Sequence, residues 1–267
     1  MEKKWFVALL MVVVMMCACW TGAVADEERK TFTSGDYQYA LLDDGTVEIA
    51  GYKGSADLLA IPAELDGKAV TSIGDCAFYL CSSLTSVSIP DSVEQIGTNP
   101  FAACSALKTI SVSPEHLYFA TIDGVLFRKA DKALISYPAG IKSSTYTIPQ
   151  GIAAIGDGAF YSCYSLTSVF IPDSVTSIGD SAFAFCSSLT SVSIPDSVTS
   201  IGDGAFSSCD SLTSVSIPDS VTSIGDSAFY YCFILTLTVP RNSYALEYAK
   251  TNNIPYTYPD ANDWLNN

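Results

Sequence analysis

One histidine in 267 residues, His116, removes most of the metal-site and acid–base chemistry that relies on imidazole. Cations are scarce too: 13 Lys and Arg face 28 Asp and Glu, for a net charge of -15. Binding nucleic acid requires cationic side chains to neutralise phosphates, so no nucleic-acid partner is expected. Charged residues make up 15% of the chain and hydrophobic ones 49%, which excludes a disordered polyampholyte. Gly-x-Ser-x-Gly and Cys-x-x-Cys are both missing. No Ser-His-Asp set assembles around a lone histidine in irregular sequence, and neither a catalytic residue, a metal nor a cofactor is expected.

The start of the chain reads differently from the rest. Lys3 and Lys4 precede an uncharged run from Trp5 to Trp20, followed by Ala23-Val24-Ala25 and Asp26-Glu27-Glu28. That pattern predicts a secretory signal peptide, residues 1–25, cut after Ala25. Its apolar run is shorter than the roughly 20 residues of a spanning helix, and no other segment is apolar enough to cross a membrane. The alternative is lipid attachment at Cys19, where Met16-Cys17-Ala18-Cys19 forms an imperfect lipobox. Either route sends the protein outside the cell, secreted or on the cell surface.

What the sequence has in abundance is itself. Cys81 and Cys104, then Cys163, Cys186, Cys209 and Cys232, recur at intervals of 23, broken by one gap of 59. Within one unit Val192 and Ile194 alternate with serine, the period of a half-buried strand. Pro195-Asp196 ends the strand, and Val198, Ile201, Ala205, Phe206 and Cys209 turn inward again. What one such coil buries does not offset the conformational entropy of fixing its 23 residues. Stacking is therefore obligatory, and the spacing predicts a solenoid.

The signature Ile-Pro-Asp-Ser-Val-Thr-Ser-Ile-Gly-Asp-x-Ala-Phe stands at 171–183, 194–206 and 217–229, with looser copies at 61–78, 89–101 and 148–160. In the 89–101 copy, Glu94-Gln95 and Thr98-Asn99-Pro100 depart from it. With its Leu-x-x-Val-x-Ile core, the repeat resembles the BspA-like leucine-rich repeats of bacterial surface proteins over residues 36–258. The fold class this predicts is an α/β repeat solenoid with short parallel strands, a β-hairpin N-terminal cap and a short helical C-terminal cap. The resemblance also implies a bacterial adhesin-like role, with host matrix proteins or neighbouring cells as partners.

Four regions follow: the signal peptide, a β cap over residues 26–56, the solenoid over 57–240, and a cap helix with a tail over 241–267. Tyr37–Leu41 and Thr46–Ala50 around Asp43-Asp44-Gly45 give a hairpin signal, and Asn242-Ser243 introduce a helix bearing Tyr244 and Tyr248 one turn apart. An irregular coil with a second hairpin at about 113–139 pairs Val125–Arg128 with Ala133–Tyr137. That hairpin reads either as a protruding contact element or as a tolerated insertion.

The cysteines Cys81, Cys104, Cys163, Cys186, Cys209 and Cys232 share one inward phase and read as a core ladder of reduced thiols. Cys76 falls in the turn slot of Gly158, Ser181, Gly204 and Ser227, and reads as an accessible thiol, free or bridged to a neighbour. Two aspartate ladders, Asp91, Asp173, Asp196 and Asp219, and Asp75, Asp157, Asp180, Asp203 and Asp226, read as turn caps. Calcium is the alternative. The outward strand positions begin with Thr85, Ser86, Ser88, Lys108, Thr109 and Ser111. They continue through Thr167, Ser168 and Phe170, Thr190, Ser191 and Ser193, and Thr213, Ser214 and Ser216. The last nine are the candidate binding face for a protein or polysaccharide at the cell surface, Phe170 being its one large apolar member.

Overall fold

The computed structural model describes residues 30–259. The expected signal peptide, its expected cleavage point and Cys19 lie outside them. Within them the chain winds into a β-solenoid of coils about 23 residues long. Each regular coil has three sides. The first is a three-residue strand such as Ser191–Ser193; the second is a two-residue strand such as Ser200–Ile201; the third is a run of tight turns ending at the ladder cysteine.

Identical sequence stacks in register. Ser168, Val169 and Phe170 pair in parallel with Ser191, Val192 and Ser193, and these with Ser214, Val215 and Ser216. The second side pairs Ser177–Ile178, Ser200–Ile201 and Ser223–Ile224 the same way. On the third side the Phe160, Phe183 and Phe206 N–H groups donate to the Ala182, Ala205 and Ala228 carbonyls at 2.7 Å. Inside, Phe160, Phe183, Phe206 and Phe229 form a column whose neighbouring rings lie 4.8–5.3 Å apart and within 7° of parallel.

Glycine makes the close approach of coils possible. A Cβ on Gly202 would meet the Asp180 nitrogen at 2.5 Å and the Gly179 carbonyl carbon at 2.6 Å. Side-chain hydroxyls lace the same coils together. Thr190 and Thr213 donate to the carbonyls of Thr167 and Thr190 at 3.1 Å, while Ser197 and Ser220 donate to Val175 and Val198 at 2.6 and 2.8 Å.

Both ends are covered. Strands Thr31–Ser34, Tyr37–Leu41 and Val47–Tyr52 form an antiparallel cap, and the last of them pairs in parallel with Lys68–Ile73. At the other end the helix Tyr244–Thr251 is capped by Ser243, whose hydroxyl accepts from the Leu246 N–H at 3.1 Å. It buries Ala245, Leu246 and Ala249 against the last coil, and is the one helix among the described residues.

The middle of the chain decides what the second hairpin does. Strands Phe119–Ile122, Val125–Arg128 and Ala133–Ser136 form a three-stranded unit, and Val125 to Phe127 and Ala133 to Tyr137 are buried. The last strand pairs in parallel with Ala154–Ile155 and so joins the second side of the following coils. Tyr137 takes the place of a column phenylalanine, 5.2 Å from Phe160. The hairpin neither protrudes nor hangs as a spare loop. Its alternate side chains serve two cores, with Leu126, Ala133 and Ile135 packing toward the N-terminal coils and Val125, Phe127 and Leu134 toward the C-terminal ones. It divides the first side into a sheet of Leu58–Ala60, Ser86–Ser88 and Thr109–Ser111 and a longer one running from Thr145–Thr147 to Tyr256–Thr257.

Candidate binding face

The longer sheet presents the nine residues singled out above. Ser168, Phe170, Ser191, Ser193, Ser214 and Ser216 are exposed, and Val169, Val192 and Val215 between them are buried. Phe170 stands 60% exposed, directly beside Ser193 in the register. Thr167, Thr190 and Thr213 lie at the strand entrances, and each hydroxyl donates to a carbonyl of the preceding coil at 3.0–3.1 Å. Their hydrogens serve the scaffold, so among the nine the hydroxyls left to face solvent belong to serine. Of the first group, Ser88, Lys108 and Thr109 are exposed, whereas Thr85, Ser86 and Ser111 are half-buried, on the separate shorter sheet.

The aspartates after the glycines are held by the fold. Asp157, Asp180 and Asp203 each accept the backbone N–H of the aspartate one coil later, at 2.7–2.8 Å, and Asp75 accepts from Thr98 at 2.6 Å. An inter-coil hydrogen bond at each step offsets the repulsion of stacked carboxylates. Partial burial holds the Asp180 carboxyl above the ordinary aspartate range. In the Pro-Asp-Ser-Val segment the inter-coil bond comes from serine, and Asp173, Asp196 and Asp219 lie exposed. Among the described residues no group of three or more His, Cys, Asp or Glu is placed to hold a metal ion.

Cys104, Cys163, Cys186 and Cys209 are buried, Cys81 and Cys232 half-buried, and all six are free. Cys186 and Cys209 point their sulfurs at the Phe160 and Phe183 carbonyls at 3.0 and 3.1 Å. Burial pushes the Cys186 thiol up, away from the reactive thiolate. Cys76 occupies its turn slot with φ of 51°. His116 is wholly buried, its Nδ1 accepting the backbone N–H groups of Tyr118 and Phe119 at 3.3 Å.

A second surface went unread in the sequence. Exposed or half-exposed aromatics gather on the turn side: Tyr161 with Phe185 at 5.3 Å, and Tyr230, Tyr231 and Phe233 at the last regular coil. The signal was available, because residues 230–234 break a text that otherwise copies the preceding unit.

The BspA type Leucine rich repeat family matches residues 64–143 and 136–253, in six copies. This chain belongs to that family. Among solved structures, a leucine-rich repeat protein from Eubacterium ventriosum aligns at 18% identity and a TM-score of 0.55, over 79% of this chain and 78% of its own. A leucine rich cell surface protein from Faecalibacterium prausnitzii aligns at 24% identity and 0.48, over 84% and 98%. The leucine-rich repeat protein of T. pallidum aligns at 27% and 0.41, over 87% and 99%. The Eubacterium structure shares the fold. No curated protein matches the chain, and no helix among its described residues is long and apolar enough to cross a membrane.

Proposed function

We propose that this leucine-rich repeat protein is an exported, non-catalytic binding module, secreted or held at the cell surface, that contacts host or neighbouring-cell macromolecules in an adhesin-like way. One observation carries the reading. Phe170, at 60% exposure, interrupts a flat strand face on which the neighbouring coils place Ser193 and Ser216. A solenoid presents such a face for extended contact, and an exposed aromatic within it is the side chain that contributes most to interface energy. The non-catalytic reading is supported by His116, whose Nδ1 is occupied by two backbone N–H groups in a buried site. Export is supported by the charge pattern of residues 2–28.

A second reading, a structural envelope component with no specific ligand, draws on the threonine ladder, whose hydroxyls serve coil stacking. An array of matrix proteins and glycans probed with the chain starting at Asp26 separates the two. Selective, saturable capture supports the binding module; uniform absence of capture supports the structural component. A substrate panel in which any bond is turned over would contradict both.

A further inference from the structure

Residues 210–232 repeat residues 187–209 almost letter for letter as far as Phe229. Tyr230, Tyr231, Phe233 and Ile234 then stand where the preceding unit has Ser207, Ser208, Asp210 and Ser211. Coil stacking does not ask for the change, since the contact there is main chain to main chain, with the Ser208 N–H donating to the Tyr230 carbonyl at 2.7 Å. End covering does not ask for it either. Phe229, the last ring of the column, is covered by Tyr248 at 6.2 Å, and the helix residues Ala245, Leu246 and Ala249 close the rest. Phe233 and Ile234 remain in solvent, 77% and 58% exposed, while Tyr230 and Tyr231 are half-buried. An exposed apolar cluster that the fold does not use points to a contact made elsewhere.

These rings border a cavity of about 280 Å³ between the last regular coil and the end of the cap helix, near the lower limit for small-molecule sites, roughly 300 Å³. Tyr230 and Tyr231 lie 4.1 Å apart at 48°, and Tyr231 and Phe233 5.4 Å apart at 53°, so the rings turn separate faces toward solvent. Asn252 and Asn253 also line it; side-chain amides both donate and accept, and one Asn252 N–H is already given to the Tyr248 carbonyl at 3.0 Å. On a chain of net charge -15, no lining residue is charged. A cationic ligand would find no carboxylate there and an anionic one no cation.

We propose that this cavity is a second binding site, for one or two rings of a neutral oligosaccharide. A pyranose joins an apolar C–H face to a rim of hydroxyls, and the site joins aromatic faces to a rim of uncharged amides and phenols. The site is independent of the strand face around Phe170.

The test titrates the full chain with neutral hexasaccharides of glucose, mannose, xylose and N-acetylglucosamine, read by tyrosine fluorescence, beside a triple variant Tyr230→Ser, Tyr231→Ser, Phe233→Asp. The variant installs the preceding coil's own residues, and circular dichroism checks its fold; Phe233→Ser alone is the second variant. Saturable binding to at least one neutral hexasaccharide is expected, insensitive to 1 M NaCl and about tenfold or more weaker in the triple variant. Binding to none of the sugars, equal affinity in the folded variants, or binding abolished by 1 M NaCl would overturn the proposal.

Discussion

The coils from Phe160 to Cys232 and the segment from Val112 to Gly140 bury comparable apolar side chains by different means. In the first, repetition supplies the packing: neighbouring rings lie within 7° of parallel, and each turn carboxylate reaches one coil along. In the second, alternation supplies it, and the strands Val125–Arg128 and Ala133–Ser136 send successive side chains to two cores. Where the regular column meets the irregular segment, Tyr137 and Phe160 are tilted by 30°, and in the N-terminal coils Phe78 and Phe101 by 27°. A repeat achieves close stacking through identity of neighbours. A splice between two stacks achieves it through a strand with two apolar faces.

That contrast can be broken first in the column. Phe206→Ala removes a ring packed between two parallel partners and is expected to cost about 3–5 kcal/mol. Phe101→Ala, buried but tilted against its neighbour, is expected to cost about 1 kcal/mol less, the worth of one good aromatic pair. Urea unfolding of both variants checks this, and an equal or larger loss at Phe101 would deny the column its role. Asp203→Ala removes the acceptor of the Asp226 N–H and is expected to cost about 1–2 kcal/mol, in the manner of a lost cap. Asp203→Asn keeps an acceptor and should cost much less; equal losses would contradict the hydrogen-bond account. Thr213→Val deletes one ladder bond at the surface, for about 0.5–1 kcal/mol, whereas Ser214→Ala should leave the melting temperature unchanged.

Acid sharpens the contrast by opposite signs. The Arg128 guanidinium beside Asp131, in the irregular segment, holds that carboxyl below the usual range. Its stabilisation is present above the unfolded value and is lost as pH falls through the lowered folded value. Asp180, in the regular coils, is raised by burial. Its charge penalises the folded state above the raised value, and the penalty disappears as pH falls from there to the unfolded value. Asp131→Asn should therefore be less stable than the parent at neutral pH and converge with it in acid. Asp180→Asn should be the more stable at neutral pH, its advantage shrinking as pH falls. Denaturation at a series of pH values reads both, and parallel curves would refute the assignment.

The difference between the two regions also explains what the sequence disclosed. Coil length, the inward valines, the cysteine phase and both caps were legible because a period multiplies each weak signal. The two-residue strands such as Ser200–Ile201 were too short to show alternation. Phe119–Ile122 lies outside any repeat, and the hairpin at 125–137, apolar on both faces, carries no periodic mark of direction. In the candidate face, the outward positions followed from alternation, but the threonine bonds depend on neighbours 23 residues away in sequence that only the winding of the coils brings adjacent. The aromatic cavity was hidden because an imperfect repeat reads as degeneracy until its odd residues are seen together.

The proposed function places binding on an outward strand face that folding does not need. Phe170→Ser, which installs the residue of the following coils at that site, tests it directly on the array of matrix proteins and glycans, alongside the parent chain. An unchanged melting temperature is expected, with about tenfold or greater loss of affinity for whatever partner the parent captures. Unchanged affinity would move the contact off this face, and loss of folding would contradict the outward placement of Phe170.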